Sequence, residues 1–340
     1  MRVLERLDRL YAIGGGPGAN RVHGSPGEDE AFELAAGWMR EAGLSVRVDP
    51  AGNLTGSAVV RPDLWVGSHL DSVPRGGRFD GALGVAAAVE AVERARLGTV
   101  IAFRGEEVGC VGSRALCSGG EKLPSAFLEL HVEQGPVLGD AGAPLGVVSG
   151  IVGYARGELV VAGRAGHAGT TPMTARADAL VGAAEWVLRV RDAAVALDGA
   201  VATVGELSVE PGASNVIASR VRMSIDARAP DASTLDRLIR TVGFEPGERT
   251  EPVELDAACR AALRDELESR RLPVVELASG AGHDAGIVAA SGVPSGMLFV
   301  RSLNGGVSHS PAELSSDEDV LLAVDVLEGA LRRLATSRRT

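Results

Sequence analysis

Aromatic residues and cysteines are scarce in this sequence, and its N-terminus has no long apolar run. Aromatic residues make up 3% of the 340 residues, so Ala, Val and Leu must fill the interior. The three cysteines are an odd number without a metal-binding spacing, which argues against a disulfide framework and a zinc knuckle. Charged residues interrupt the N-terminal stretch MRVLERLDRLYAIGGG, so we expect neither a signal peptide nor a membrane span there. We expect a protein of the reducing cytoplasm.

Basic residues are fewer than acidic ones, and this balance restricts the partners. Lys and Arg number 34 against 45 Asp and Glu, which gives a net charge of -11. An acidic chain argues against nucleic acid and anionic membranes as partners and fits a soluble enzyme. With 45% hydrophobic and 23% charged residues, the composition is that of a globular protein. A chain of this length predicts two domains.

Alternating strand and helix patterns predict an α/β domain that is interrupted once. The pattern fills the first part of the chain and returns after about Thr250. Alternating strands and a helix over about 172–191 lie between. We therefore expect an α/β catalytic domain, residues 1–153 and 250–340, in which helices flank a twisted, mixed and mostly parallel sheet. Residues 154–249 would form an inserted α+β domain with an antiparallel sheet.

His69 and Asp71 follow an apolar run in the stretch LWVGSHLDSVPRGGRFDGALGV. Side chains two positions apart on a strand leave it on the same face. Asp80 comes eleven residues after His69, at the start of an Ala-rich helix, where its carboxylate can face the histidine. Imidazole and carboxylate are common ligands of zinc-like ions, and a second carboxylate can orient the ligating ring. A hydrogen-bonded pair on the surface is the alternative.

Two adjacent glutamates, Glu106 and Glu107, follow the next predicted strand. Neighbouring side chains at a strand end point to opposite sides, so one glutamate can hold a metal while the other holds a water. Metal-assisted hydrolysis needs such a carboxylate as a base. A solvated acidic turn is the alternative.

The six histidines are concentrated in loops and at strand ends. His69 and His131 end predicted strands, and His309 lies in the glycine-flanked stretch GGVSHSPAEL. His167 and His283 also lie in glycine-flanked loops, and the sixth histidine has no such context. Histidines that are merely buried would occur within helices as well, so this distribution favours a common site.

Seven motifs lie between Gly67 and Glu313, within a resemblance to one protein family that runs from about Glu28 to the C-terminus. They are GSHLDSVPRGGRFDGALGV, EEVGCVGSRAL, LELHVEQGPVL, AGHAGTTPMTARADAL, PGASNVIASRVRMSIDAR, SGAGHDA and GVSHSPAE. In this order they resemble the hydantoinase/carbamoylase family of amidases, which includes N-carbamoyl-L-amino-acid hydrolases, β-ureidopropionases and allantoate amidohydrolases.

The resemblance implies a site for two divalent metal ions per chain, with zinc as the first expectation and manganese, cobalt or nickel as alternatives. His69 and His131 would bind separate ions, and Asp80 would bridge the two. Glu107 would complete the ligands of one ion and His309 those of the other.

The resemblance also implies the residues around the ions. Glu106 would be the general base, and Asp71 would lie behind His69. The family pattern further places a cis peptide bond between Asp80 and Gly81, which costs about 3 kcal/mol outside proline and persists only where function fixes it.

The inserted domain corresponds to the lid and dimerisation domain of this family, so we expect a homodimer. His167, in the family from the partner subunit's lid, would stabilise the oxyanion. Asn215 and Arg228 would bind the substrate's carboxylate, because a guanidinium holds a carboxylate by two parallel hydrogen bonds. Gln134 and His283 are further candidates for substrate binding. For Arg228 an ordinary surface arginine at a strand end is the alternative.

These features predict metal-dependent hydrolysis of the carbamoyl C–N bond of a small ureido carboxylate, first of all an N-carbamoyl-L-amino acid. Allantoate is the second possible substrate. An aminoacylase or metalloexopeptidase and a non-catalytic ligand-binding descendant are less favoured. Three departures from the family bear on substrate size and on the dimer contact: only residues 108–111 separate Glu107 from the motif GSRAL, the segment 240–252 is short, and Ala218 stands where proline is common.

Overall fold

The computed structural model describes residues 2–337 and divides into two compact units. One unit runs to Gly150 and resumes at Glu254, and the other is Ile151–Val253. The boundaries expected for the inserted domain, 154 and 249, lie three and four residues inside the second unit. Residue 1 and residues 338–340, which the expected catalytic domain included, lie outside the described residues.

The first unit begins with two helices and continues as alternating strands and helices. The helix α2 illustrates how the local sequence sets an element, because Ser25 caps it through the N–H of Glu28 and Pro26 takes its first position. The elements are α1 (Arg2–Tyr11), α2 (Pro26–Glu41), β1 (Ser45–Val48), β2 (Leu54–Ser57), β3 (Leu64–His69), α3 (Ala82–Ala95), β4 (Thr99–Phe103), α4 (Val111–Ser118), β5 (Ala126–Val132), α5 (Val137–Asp140) and β6 (Leu145–Ile151).

The second unit is an antiparallel sheet with helices on one face. Its elements are β7 (Gly153–Ala162), β8 (Gly166–His167), a 3-10 turn (Met173–Ala175), α6 (Ala179–Val195), β9 (Val201–Glu210), β10 (Val216–Ile217), β11 (Arg220–Ala229), α7 (Ala232–Val242) and β12 (Glu248–Thr250), with β13 (Val253–Glu254) at the boundary. Four strands form the sheet in the order β12-β7-β11-β9. Alternate residues of β11 are buried, among them Val221, Met223 and Ile225.

The helix expected over 172–191 begins at Ala179 instead. Asp178 is its N-cap, because the carboxylate accepts a hydrogen bond from the N–H of Leu180. The preceding residues from Met173 form only the short 3-10 turn. The helix start was therefore predicted too early, since the Ala-rich pattern continues across the cap.

The remaining elements complete the first unit. They are α8 (Ala257–Ser269), β14 (Glu276–Ser279), α9 (Asp284–Ala290), β15 (Ser295–Val300), a 3-10 turn (Asn304–Gly306) and α10 (Asp317–Ser337). The strands of the main sheet lie in the order β1-β2-β4-β3-β5-β15-β6-β13, and β14 also pairs with β6. No helix within residues 2–337 combines the length and the apolar character that crossing a bilayer requires.

The four central strands of this sheet, β4, β3, β5 and β15, are parallel. The strands β1, β2 and β6 are antiparallel to their neighbours, which confirms a mixed and mostly parallel sheet. Helix α3 packs closely on the sheet, because a side chain at Gly84 would come within 2.2 Å of the carbonyl oxygen of Leu130. Parallel strands end at a common edge, and the side chains that follow them lie together there.

Candidate active site

The carboxyl ends of β3, β4 and β5 bring four of the predicted site residues to one edge of the sheet. His69 is the last residue of β3 and pairs with Phe103, after which Glu106 and Glu107 follow. His131 lies in the neighbouring strand β5. Asp80 precedes α3, which begins at Ala82. The imidazoles and carboxylates therefore converge because adjacent parallel strands end side by side.

The first group of converging atoms surrounds one oxygen of Asp80. Asp80 Oδ1 lies 3.2 Å from Nε2 of His131 and 3.5 Å from Nε2 of His69, and the two ring nitrogens are 3.3 Å apart. His131 Nδ1 donates to the carbonyl oxygen of Val132, and His69 Nδ1 faces the carbonyl and carboxylate oxygens of Asp71. With their protons on Nδ1, both rings turn an Nε2 lone pair towards the Asp80 oxygen.

The second group surrounds the other oxygen of the same carboxylate. Nε2 of His309 lies 3.2 Å from Asp80 Oδ2 and 3.5 Å from Glu107 Oε2. Glu107 Oε1 is buried and has no hydrogen-bond partner within residues 2–337. The three residues, like those of the first group, offer ligand atoms that all lie within 4.8 Å of one another.

Both groups fit a divalent cation by their chemistry and their spacing. Each brings imidazole nitrogens and carboxylate oxygens close together, and a divalent cation can coordinate atoms of both kinds at once. A tetrahedral zinc ion with bonds of about 2.0–2.1 Å separates its ligand atoms by about 3.3 Å. The contacts among His69, Asp80, His131 and His309 are 3.2–3.5 Å, which matches that spacing.

Two expectations about the metal ligands were wrong. His69 and His131 were assigned to separate ions, whereas the structure groups both around Asp80 Oδ1, because β3 and β5 are neighbours in the sheet. The expected cis bond between Asp80 and Gly81 is also absent, since Glu210–Pro211 is the only cis peptide among the described residues. The chain turns at Gly81 through a positive φ of 62° instead, and a side chain there would collide with the ring of His69.

Glu106 lies beside the first group of candidate ligands. Its Oε2 lies 3.8 Å from His69 Nε2, and Oε1 lies 3.7 Å from His283 Nδ1. Burial, assisted by the charges of Asp284 and Asp80, raises the pKa of Glu106 well above its ordinary value despite the opposing effect of His69. Such a carboxyl holds a proton more readily than an exposed glutamate does.

Asp71 fixes the backbone of both glutamates as well as the ring of His69. Its carboxylate accepts hydrogen bonds from the N–H groups of Glu106 and Glu107, both at 3.1 Å. The same side chain lies 3.3 Å from His69 Nδ1 and is fully buried. One carboxylate therefore orients a candidate ligand, the candidate base and a second candidate ligand.

Gln134 and His283 both lie beside the candidate ligands. Gln134 Nε2 donates to Asp80 Oδ2 and to the hydroxyl oxygen of Ser308, each at 3.0 Å. The His283 ring is buried next to His131 and its Nε2 forms a hydrogen bond with Ser279. Burial and the neighbouring histidines lower the pKa of His283 well below its usual range. This burial differs from the exposed position expected of a substrate-binding residue.

In the second unit, His167 and Asn215 are neighbours. The short strands β8 and β10 pair so that His167 lies opposite Val216, and the N–H of Ala168 donates to the carbonyl oxygen of Asn215. Nδ1 of the exposed His167 ring accepts a hydrogen bond from the N–H of Gly169. Arg176 fixes this loop by donating to the carbonyl oxygen of Ala168, and also to that of Thr171 at 3.1 Å.

Arg228 lies near the opposite end of the four-stranded sheet of the second unit. It pairs with Tyr154 at the start of β7, whereas Ala162 at the end of β7 pairs with Arg220. Its Nε and Nη2 donate to the two carboxylate oxygens of Asp226 at 2.9 and 3.0 Å. The second unit therefore brings His167 and Asn215 together and keeps Arg228 apart from them.

Two buried residues at the site were missed in the sequence. Glu313 stands four residues after His309 in the motif GVSHSPAE, and its carboxylate accepts hydrogen bonds from the N–H groups of Phe79 and Asp80. Arg21 is fully buried and donates from Nε to the carbonyl oxygen of Leu70 at 2.7 Å. The motif itself could have pointed to Glu313, whereas nothing in the local pattern distinguishes Arg21.

Comparison with known proteins identifies relatives of this chain. The chain is 36% identical to the N-carbamoyl-L-amino acid amidohydrolase of Geobacillus stearothermophilus, with 98% of each chain covered. It is 33% identical to the allantoate deiminase of Arabidopsis thaliana, with 93% of this chain and 79% of that protein covered. A hydantoinase/carbamoylase family amidase from Burkholderia multivorans has the same fold, with a TM-score of 0.90, 29% identity and coverage of 98% of this chain and 97% of that chain.

The alignment with the Geobacillus enzyme extends over 403 positions against 340 residues here, so that relative has segments which this chain lacks. Residues 65–333 match peptidase family M20/M25/M40, and this range contains every candidate ligand. The chain therefore belongs to peptidase family M20/M25/M40 and, within it, to the hydantoinase/carbamoylase amidases, which are hydrolases of C–N bonds.

Proposed function

We propose that this chain hydrolyses the carbamoyl C–N bond of N-carbamoyl-L-amino acids with the help of two divalent metal ions. One observation carries the proposal. The two carboxylate oxygens of Asp80 face two separate groups of ligand atoms, and Glu106 lies beside the first of them. A carboxylate shared in this way is suited to bridge two cations, as in dinuclear hydrolases.

We assign His69, Asp80 and His131 to one ion and Asp80, Glu107 and His309 to the other. Imidazole and carboxylate ligands suit zinc, and manganese, cobalt and nickel are alternatives. Bound ions of this kind lower the pKa of water and polarise a carbonyl group.

Glu106 moves the proton in the proposed reaction. It accepts a proton from the water that attacks the ureido carbon and returns it to the departing nitrogen. Its raised pKa supports this role, because the carboxyl must hold the proton between the two transfers. With one water consumed, the products are the amino acid, ammonia and carbon dioxide.

The remaining candidates bind and orient the substrate. His167 donates a hydrogen bond to the oxygen on which negative charge develops. Asn215 and Arg228 hold the substrate's carboxylate, and the bidentate pair with Asp226 keeps the Arg228 guanidinium in a fixed plane. Gln134 contacts the substrate through its amide oxygen, since its amide nitrogen already bonds to Asp80 and Ser308.

His283 acts indirectly in this scheme. Its ring is buried between His131 and Glu106, so we assign it to orienting these two residues rather than to direct contact with substrate.

We further propose that each active site takes residues from two chains of a homodimer. Along β7, Ala162 lies eight positions after Tyr154, which pairs with Arg228, and His167 follows beyond Ala162. Eight residues of extended strand span about 27 Å at about 3.4 Å per residue. That distance is several times the length of a carbamoyl amino acid. His167 and Arg228 of one chain are therefore too far apart to contact the same substrate molecule. We assign His167 and Asn215 to the active site of the partner subunit.

Allantoate is the second candidate substrate, because it too offers a ureido group and a carboxylate and because a 33% identical relative is an allantoate deiminase. The test is ammonia release by zinc- or manganese-loaded enzyme from N-carbamoyl-L-amino acids, their D-enantiomers and allantoate. We expect the highest kcat/KM with an N-carbamoyl-L-amino acid and little turnover of the D-enantiomer.

The same assay identifies an exopeptidase, an aminoacylase or a binding protein when it includes a dipeptide and an N-acetyl-L-amino acid. Faster release of amino acid from the dipeptide would indicate an exopeptidase, and from the acetyl compound an aminoacylase. Binding of a ureido acid without turnover would identify a ligand-binding descendant. We also propose a cytoplasmic location, because Cys110 and Cys117 are free thiols of the kind that a reducing compartment preserves.

A further inference from the structure

Glu313 connects two loops that carry candidate metal ligands, although it belongs to neither group. Its side chain is buried, and it lies four residues after His309. Oε2 accepts hydrogen bonds from the N–H of Phe79 at 2.7 Å and from that of Asp80 at 3.2 Å. The carboxylate from one loop therefore fixes the backbone of the shared ligand in the other.

The second oxygen of Glu313 closes a ring of hydrogen bonds. Oε1 accepts from the hydroxyl of Ser308 at 3.1 Å, and that hydroxyl oxygen accepts from Gln134 Nε2. Gln134 Nε2 also donates to Asp80 Oδ2. Asp80 is thus held at its backbone and at its carboxylate by one ring, and His309 follows Ser308 directly in the chain.

Gly77 leaves the space that the Glu313 carboxylate occupies. A side chain at Gly77 would lie 2.0 Å from Glu313 Oε2, so only glycine accommodates the glutamate there. His309 itself has a positive φ of 52°, and its ring is half exposed. Packing alone therefore holds this ligand weakly, and a separate restraint has to set its distance from Asp80.

We propose that Glu313 is a positioning residue that sets the spacing between Asp80 and His309, and with it the affinity for the ion of the Asp80, Glu107 and His309 group. The inference rests on the proposed metal site and not on the identity of the substrate. Residues that orient ligands in this way typically change metal affinity about 10- to 100-fold when they are replaced.

Replacements of Glu313 separate hydrogen bonding from charge. In Glu313→Gln the amide oxygen still accepts from the N–H groups of Phe79 and Asp80, and the amide nitrogen can donate to Ser308. Glu313→Ala removes all three contacts. Positioning therefore predicts that the glutamine variant resembles the wild type, whereas a charge effect predicts that it resembles the alanine variant.

The experiment is calorimetric titration of the chelator-treated full chain with zinc. The wild type is expected to bind two ions. Glu313→Ala should bind one ion as the wild type does and the other about 10- to 100-fold more weakly, while Glu313→Gln should stay close to the wild type. Ser308→Ala removes one link of the hydrogen-bond ring and leaves the buried Glu313 side chain in place, so it should lower the affinity for the same ion. It replaces Glu313→Ala in the experiment if that variant does not fold.

Glu133 offers a matched control, because it is another buried glutamate whose carboxylate accepts from a backbone N–H, that of Leu138. Glu133→Ala should lower thermal stability and leave both zinc affinities unchanged.

Wild-type zinc affinities in Glu313→Ala, or equal losses of affinity in Glu313→Ala and Glu313→Gln, would overturn the proposal. A wild type that binds no pair of ions would overturn the metal site as well. If Glu313→Ala loses affinity for one ion while the wild type hydrolyses no ureido acid, the positioning role is upheld and the proposed substrate is rejected.

Discussion

Nδ1 of His167 accepts a hydrogen bond from the backbone N–H of Gly169 at 3.0 Å. A neutral imidazole carries one proton, so that proton is on Nε2 and the outer nitrogen is a donor. A donor is what an oxyanion requires. We therefore expect His167→Ala to lower kcat by about 10²- to 10³-fold. Metal content and melting temperature should not change, because the side chain is exposed. Wild-type kcat in this variant would exclude the oxyanion role.

Glu106 and Glu107 form a natural pair of variants, since they are adjacent and both accept the same change to glutamine. Glu106→Gln should lower kcat by at least about 10²- to 10⁴-fold through loss of the base, with two ions still bound. Glu107→Gln should instead lower the affinity for one ion, because a neutral amide replaces a ligand. Turnover and metal content, measured on both variants, separate the roles. The assignment fails if Glu106→Gln retains full turnover.

A mixture of two inactive variants tests whether active sites are shared between subunits. If His167 serves the partner's site, a heterodimer of Glu106→Gln and His167→Ala has one site with both residues intact. After dissociation and reassembly at equal concentrations, about a quarter of the wild-type activity should return, since half of the dimers are mixed and each has one complete site. Mixing that restores nothing would show that each lid serves its own chain.

The sequence pointed to the candidate ligands because each lies at a strand end or in a glycine-rich loop and because the motifs around them resemble those of a known family. His69 and His131 could be identified in this way, but their grouping could not. That grouping depends on β3 and β5 being neighbours, and strand order comes from non-local pairing which no local pattern records. Arg21 was missed for a similar reason, because only burial distinguishes it from other arginines.

Helix and strand positions followed the hydrophobic pattern, and the errors occurred where side chains override it. The start of α6 was predicted too early because an N-cap at Asp178 depends on one side-chain hydrogen bond. The expected cis bond at Asp80 was inferred from family resemblance alone, and the positive φ of Gly81 makes the turn instead. Local backbone choices of this kind depend on neighbours such as His69 that are distant in sequence.

The lowered pKa of Asp226 predicts that its contribution to stability is lost as the pH falls below about 4. Burial raises the pKa of Asp226, but the hydrogen bonds from Arg228 and Arg156 outweigh it, and the pKa is lowered from its ordinary 3.8. A lowered pKa contributes stability above about pH 4 that is lost as the pH falls through the folded-state value. Asp226→Asn should therefore cost about 1 kcal/mol at pH 7. The difference should shrink below pH 4, measured by urea unfolding of chelator-treated protein. A difference that stays constant down to pH 3 would contradict the ion pairs.

The buried guanidinium of Arg21 and bound metal ions should both reduce the repulsion among the carboxylates of the candidate metal site. Burial lowers the pKa of Arg21 to about 10, so the side chain remains charged at pH 7, and the acids that act on it are Asp80, Asp71, Glu313 and Glu107. Without ions, Arg21 offsets the repulsion among these carboxylates, whereas bound ions offset it themselves. Arg21→Met should therefore destabilise the metal-free chain by about 3 kcal/mol or more and the zinc-loaded chain by less. The difference between the melting temperatures of the zinc-loaded and the metal-free chain should be larger in Arg21→Met than in the wild type.

Arg6→Met is the matched control, because Arg6 is also buried but faces Glu90 and Glu93. It should lower both melting temperatures equally, and an unchanged gap in Arg21→Met would mean that Arg21 only packs.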